Sequence, residues 1–199
     1  YRCSPVSSNV RHQNMNSSVP HTLVVLTGPV GVGKSTTAAA AAQILRESGV
    51  TVACIDLDQI YCMIRQRSGF DDQGTWLSAR QATAALAEHF FGRIASVVIV
   101  EGGFLTAAEQ GELLEALKSK PRTEIITLHA SFETVHTRVM ADSDPGRVAS
   151  KVPTILKQLY VEYEAALPFL REATTFIDSD NRDVEKVATQ VAAMLKCRD

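Results

Sequence analysis

The sequence is poor in aromatic residues, has only four cysteines and is almost neutral overall. A formal net charge of -2 gives no broad basic footprint for a nucleic-acid backbone, so nucleic acid is disfavoured as a partner and any anion must be held locally. Cys3, Cys54, Cys62 and Cys197 form no C-x-x-C pair and are too sparse for a disulfide scaffold. Free thiols in a reducing, cytoplasmic setting are expected. No apolar run approaches the ~20 residues needed to cross a bilayer, and the beginning of the chain lacks a signal-peptide core, so no membrane role is expected. An N-K-x-D base-reading motif is also missing, which argues against guanine selectivity. Residues 1–21, rich in Ser, Asn, Val and Pro, read as a tail, with Met15 a candidate natural start.

Against this background one segment stands out. Gly28, Pro29, Val30, Gly31, Val32, Gly33, Lys34, Ser35 and Thr36 form a G-x-x-x-x-G-K-[ST] loop between the apolar run 22–27 and an alanine-rich helix expected over 37–46. A strand feeding such a turn into a helix cradles phosphates, because backbone N–H groups and the helix N-terminus converge on one anion. Gly28, Gly31 and Gly33 allow close backbone approach, Lys34 reaches the β- and γ-phosphates, and the Ser35 hydroxyl is offered to magnesium.

Short β-branched runs alternate with helical patterns along the rest of the chain. Strands are expected at 50–55, 96–101, 124–129 and 174–177, and helices at 59–67, 77–93, 107–117, 132–140, 153–170 and 184–195. On the second of these helices Ala82, Ala85, Leu86, His89 and Phe90 are expected to form the buried face. The alternation argues a single α/β domain over 22–199, a doubly wound parallel sheet that binds ligands at the strands' carboxyl ends. The polar stretch 142–151 reads as a small lid.

Asp56, Asp58 and Glu101 fall at that carboxyl edge. Asp58 is the candidate base for an acceptor hydroxyl, since a carboxylate ~3 Å away can take the proton during transfer, and Asp56 is a candidate for the shell of the metal at the substrate site; helix capping is the competing reading for both aspartates. Glu101 ends an apolar strand where a Walker-B-like acid would sit, normally Asp, and a buried carboxylate there favours a role near magnesium, through water, or near the acceptor. Gly102 and Gly103 would then leave room for substrate, unless they only form a turn. Arg138 and Arg147 flank the lid and are candidates for covering the nucleotide, with Lys151 beside them, although solvated surface positions would also accommodate them. Arg80, with Arg65 and Arg67, could hold an anionic acceptor or simply be surface charge. Trp76 either lines the acceptor pocket or packs in the core, and the pocket is expected to be bounded by Asp58, Trp76, Arg80 and Glu101.

With the G-P-V-G-V-G-K-S-T loop, the I-D-L-D-Q-I-Y segment, V-I-V-E-G-G-F and the stretch from Arg138 to Arg147, the chain resembles the small P-loop kinases. This group includes chloramphenicol phosphotransferase, zeta-toxin-like kinases, polynucleotide kinase, and adenylylsulfate and gluconate kinases, alongside AAA-type ATP-binding kinases. The resemblance implies a three-layer fold with a five-stranded sheet of order 2-3-1-4-5. It also implies that Asp58 activates the acceptor and that Arg138, with Arg147, belongs to the lid. The expected activity is ATP- and Mg2+-dependent phosphorylation of a small-molecule hydroxyl, by a monomer or homodimer. A nucleotide-binding regulatory module or a polynucleotide-type kinase are the alternatives. Tyr61 occupies the neighbourhood of the gluconate kinase histidine, leaving the acceptor open.

Overall fold

The computed structural model describes residues 21–64, 73–143 and 150–196. Residues 1–20 of the expected tail, Arg65, Arg67, Arg147, Cys3 and Cys197 lie outside the described residues, as does most of the expected lid. The elements run β1 (Thr22–Thr27), α1 (Lys34–Glu47), β2 (Val52–Asp56), α2 (Leu57–Ile64), α3 (Gln73–Phe91) and β3 (Val97–Glu101), followed by α4 (Ala107–Glu115), β4 (Arg122–His129), α5 (Phe132–Ala141), α6 (Pro153–Ala173), β5 (Thr175–Asp178) and α7 (Val184–Lys196). All pairings are parallel and the order is β2-β3-β1-β4-β5, as expected. Every carboxyl end therefore opens on one edge.

Alternation along the central strands divides the interior into two cores. On β1 and β3, Val24, Leu26, Val97 and Ile99 face a core shared with α1, α6 and α7, while Leu23, Val25, Val98 and Val100 face one shared with α2, α3 and α4. A strand buried on both faces reads as a continuous apolar run, which is why β1 and β3 were legible as strands. Helix starts are held by local chemistry. Thr106 and Glu109 make a reciprocal capping box on α4, and Ser131 caps α5 while its N–H donates to Asp180.

Helix α3 departs from expectation. Its buried residues are Ala79, Arg80, Thr83, Ala84, Ala87 and Phe91, whereas Ala85 and His89 are exposed. The expected face is rotated because two polar residues, Arg80 and Thr83, sit in the buried stripe. Counting apolar positions alone passes them over. The helix is already formed at Gln73, four residues before its pattern indicated; residues 65–67 of the expected preceding helix lie outside the described residues.

Candidate phosphate and acceptor site

The loop after β1 is shaped as much by the protein behind it as by what it faces. A Cβ on Gly28 would overlap the Leu128 carbonyl oxygen, and one on Gly31 would overlap the Val139 side chain of α5. Both glycines therefore admit neighbouring strand and helix. Gly33 differs, with φ of 101° at the N-cap of α1 and nothing within 4 Å of a built Cβ. The left-handed turn is there to aim backbone N–H groups, and the space beside it is open. Lys34 Nζ donates to the carbonyls of Gly28 and Pro29, at 3.1 Å each, so it arches over the loop. Val32 is buried and offers the site only its backbone; Thr36 is exposed on the first turn of α1.

Ser35 Oγ donates to Glu101 Oε2 at 3.0 Å, joining the loop to the end of β3. Burial pushes the Glu101 carboxyl above its ordinary 4.5; the Ser35 hydrogen bond opposes this, and the nearby Asp56 adds to it. A buried anion with a hydroxyl beside it is a pair of hard oxygen donors, and a divalent cation would relieve the charge penalty that burial imposes. These residues fit magnesium, which is typically held by one or two carboxylates together with substrate phosphates.

The two aspartates of β2–α2 separate in role. Asp56 Oδ1 accepts from the N–H groups of Asp58 at 2.8 Å and Gln59 at 3.2 Å, contacts that cap α2, and its charge is close enough to Glu101 to act on that carboxyl. Asp58 is exposed in the first turn of α2 and lines a cleft of about 300 Å³ together with Gly28, Pro29, Val30 and Lys34. Trp76 and Arg80 of α3 line the same cleft. Of the four residues expected to bound the acceptor pocket, Glu101 is absent from the lining and instead sits behind Ser35.

Gly102 also departs from expectation. A Cβ there would lie 2.7 Å from Leu57 Cβ, so the missing side chain makes room for α2. Gly103, with nothing within 4 Å, is the one that lines the cleft. The following turn is held by Thr27, whose buried Oγ1 accepts from Phe104 N–H at 3.0 Å.

Arg138 of the expected nucleotide cover and Arg80 of the expected acceptor side are both held by protein groups. Arg138 of α5 donates from Nη1 to the Val32 carbonyl at 3.0 Å and from Nη2 to the Ser179 carbonyl at 2.9 Å. It ties the phosphate loop to the turn after β5. Arg80 is 4 % exposed, with Nη2 at 2.8 Å from Glu109 and Nη1 at 2.6 Å from Glu112. Lys151 donates to the Asp142 carbonyl.

Several residues with no signal in the sequence also line the cleft. Leu159, Glu162 and Tyr163 arrive from α6, and Glu109 from α4. Tyr163 is fully buried and its hydroxyl bonds His129 Nδ1 at 2.7 Å; burial above all raises its pKa. Tyr61, 3 % exposed, stacks on Trp76 with centroids 3.9 Å apart and planes at 17°. Only the packing of helices distant in sequence brings these groups to the loop.

A parallel 2-3-1-4-5 sheet with this loop after β1 and an acid hydrogen-bonded to its serine defines the fold of the small P-loop kinases. The family model for the AAA domain matches residues 23–160, and the chain belongs to that family. Among solved structures it is similar to a sugar kinase from Janibacter sp., with 19 % identity and a TM-score of 0.64, covering 90 % of this chain and 96 % of the other. It is also similar to shikimate kinase from Acinetobacter baumannii in complex with shikimate, with 18 % identity, a TM-score of 0.62 and coverages of 90 % and 95 %. The APS kinase of Mycobacterium tuberculosis, in complex with AMPPNP and APS, has 15 % identity, a TM-score of 0.58 and coverages of 89 % and 98 %. No curated protein matches the chain by sequence.

Proposed function

We propose that this protein is an ATP- and Mg2+-dependent phosphotransferase that moves the γ-phosphate of ATP to the hydroxyl of a small molecule. The observation that carries this reading is the meeting of Lys34 and Asp58 in one cleft whose other wall is formed by α3, α4 and α6. A phosphate cradle alone holds a nucleotide; a carboxylate beside a second, non-loop wall gives an acceptor a place to stand. The fold neighbours named as kinases for shikimate, sugar and APS support the same reaction class.

In this reading the N–H groups of the loop and Lys34 bind the phosphates and stabilise charge as it develops. Asp58 accepts the proton of the acceptor hydroxyl as its oxygen bonds to the γ-phosphorus. The bond from that phosphorus to the bridging oxygen breaks, and ADP leaves. Ser35 and, through water, Glu101 would hold magnesium, which when bound neutralises phosphate charge. Arg138 keeps the phosphate loop in register with the turn after β5.

The test is ADP release from ATP and Mg2+ across a panel of hydroxyl compounds, with Asp58→Asn as the comparison. Acceptor-dependent release that is lost in the variant supports the proposal. Tight nucleotide binding without response to any acceptor would overturn it.

A further inference from the structure

The wall opposite the phosphate loop bears on which acceptors can enter, and its charges are already committed. Among the described residues lining the cleft the cations are Lys34 and Arg80, and the anions are Asp58, Glu109 and Glu162. Lys34 is turned onto the loop carbonyls. Arg80 meets two carboxylates, Glu109 and Glu112, so this cluster retains net negative charge. Its Nε is sealed from solvent with no hydrogen-bond partner, and its guanidinium carbon lies 5.9 Å from the Trp76 ring centroid.

Glu109 cannot readily yield Arg80 to a ligand. Its other oxygen accepts from Leu105 N–H at 2.7 Å and Thr106 N–H at 2.9 Å, which fixes the start of α4. Drawing Arg80 onto an incoming carboxylate would strand two acids, one of them tied to a helix cap. Beside these acids stands an apolar platform, Trp76 backed by Tyr61, with Leu105 and Leu159 also in the lining.

We propose that, with the phosphate loop occupied by nucleotide, the part of the cleft walled by α3, α4 and α6 admits neutral or cationic hydroxyl compounds with an apolar face and disfavours carboxylates, phosphates and sulfates. Arg80, held by Glu109 and Glu112, is the positioning residue of this selectivity. The proposal rests on the phosphotransferase reading for the word acceptor, but the charge preference can be measured without turnover.

Trp76 is the sole tryptophan, so its emission reports on this cleft. The full chain, saturated with an unhydrolysed ATP analogue and Mg2+ so that the phosphate loop is filled, is titrated with 2-amino-1-phenylethanol, 1-phenyl-1,2-ethanediol and mandelate, which share a phenyl ring and a benzylic hydroxyl and differ in charge. The amine and the diol should reach half-saturation at concentrations about tenfold or more below that of mandelate, as expected when an anion meets like charge. Glu162→Lys, at an exposed position of α6, should lower the mandelate midpoint and raise that of the amine, with the diol little changed. Mandelate binding as tightly as the diol, midpoints indifferent to Glu162→Lys, or no response to any of the three overturns the proposal. A chain that keeps this charge order yet never releases ADP in answer to a hydroxyl compound retains the preference and loses the phosphotransferase reading.

Discussion

Lys34, Asp58 and Glu101 each depend on charge in a different way, and each gives a separate measurement. Lys34→Ala removes a cation from the loop without touching either core, so kcat should fall by about 10²-fold or more while circular dichroism stays unchanged. Asp58→Asn keeps the size of the side chain and its position at the cleft but removes the proton acceptor. Acceptor phosphorylation should drop about 10²–10⁴-fold, with ATP-analogue affinity preserved; transfer near the original rate would leave Asp58 without a role in proton transfer. Glu101 is an acid whose charge burial opposes, which raises its folded value above 4.5. Its stabilising form is the protonated one, fully present below about 4.5 and lost as pH rises through the folded value. Without magnesium, Glu101→Gln should therefore melt above the parent protein at pH 7, and the gap should narrow as pH is lowered through that window. The same variant should lose magnesium-dependent stabilisation. Thermal melts from pH 4 to 8, with and without Mg2+, check both outcomes.

Elements meet at the phosphate loop in a way that distinguishes its glycines. Gly31 is pressed by Val139 of α5, whereas nothing lies within 4 Å of a built Cβ on Gly33. Both have positive φ, so both alanine variants incur backbone strain, but Gly31→Ala must also displace α5. Gly31→Ala should destabilise by about 1–3 kcal/mol more than Gly33→Ala, and Gly33→Ala should weaken nucleotide binding with the smaller loss of stability. Differential scanning calorimetry paired with analogue titration separates the two. The element scale is also where sequence reading failed. The bounds of β1 were legible to the residue, because both faces of that strand are buried and its apolar run is unbroken. The buried face of α3 was not, because Arg80 lies in the stripe and is neutralised only by α4, 29 and 32 residues further on.

At the scale of the whole molecule, a nucleotide that binds only the folded chain must stabilise it by mass action. An unhydrolysed ATP analogue with Mg2+ at about 100 times its Kd should add about 2.7 kcal/mol. That corresponds to a rise of roughly 5–10 °C in Tm for a domain of this size. Lys34→Ala should abolish most of the shift, and an unchanged shift in that variant would remove Lys34 from the phosphate site. The parallel sheet makes this coupling direct: the loop leaves β1 between β3 and β4, so ligand held there is braced by the centre of the fold.

The sequence by itself determined the phosphate loop, the alternation of strands and helices, and the placement of Asp58 and Glu101 at one edge. These depend on local spacing, backbone stereochemistry and the burial of continuous apolar runs. Tertiary structure alone decided that Gly103 rather than Gly102 faces the cleft and that α6 supplies part of its wall. It also decided that Arg80 is held by Glu109 and Glu112. Such facts turn on which side chains meet across helices far apart in the chain, and charge compensation between distant residues leaves no periodic trace.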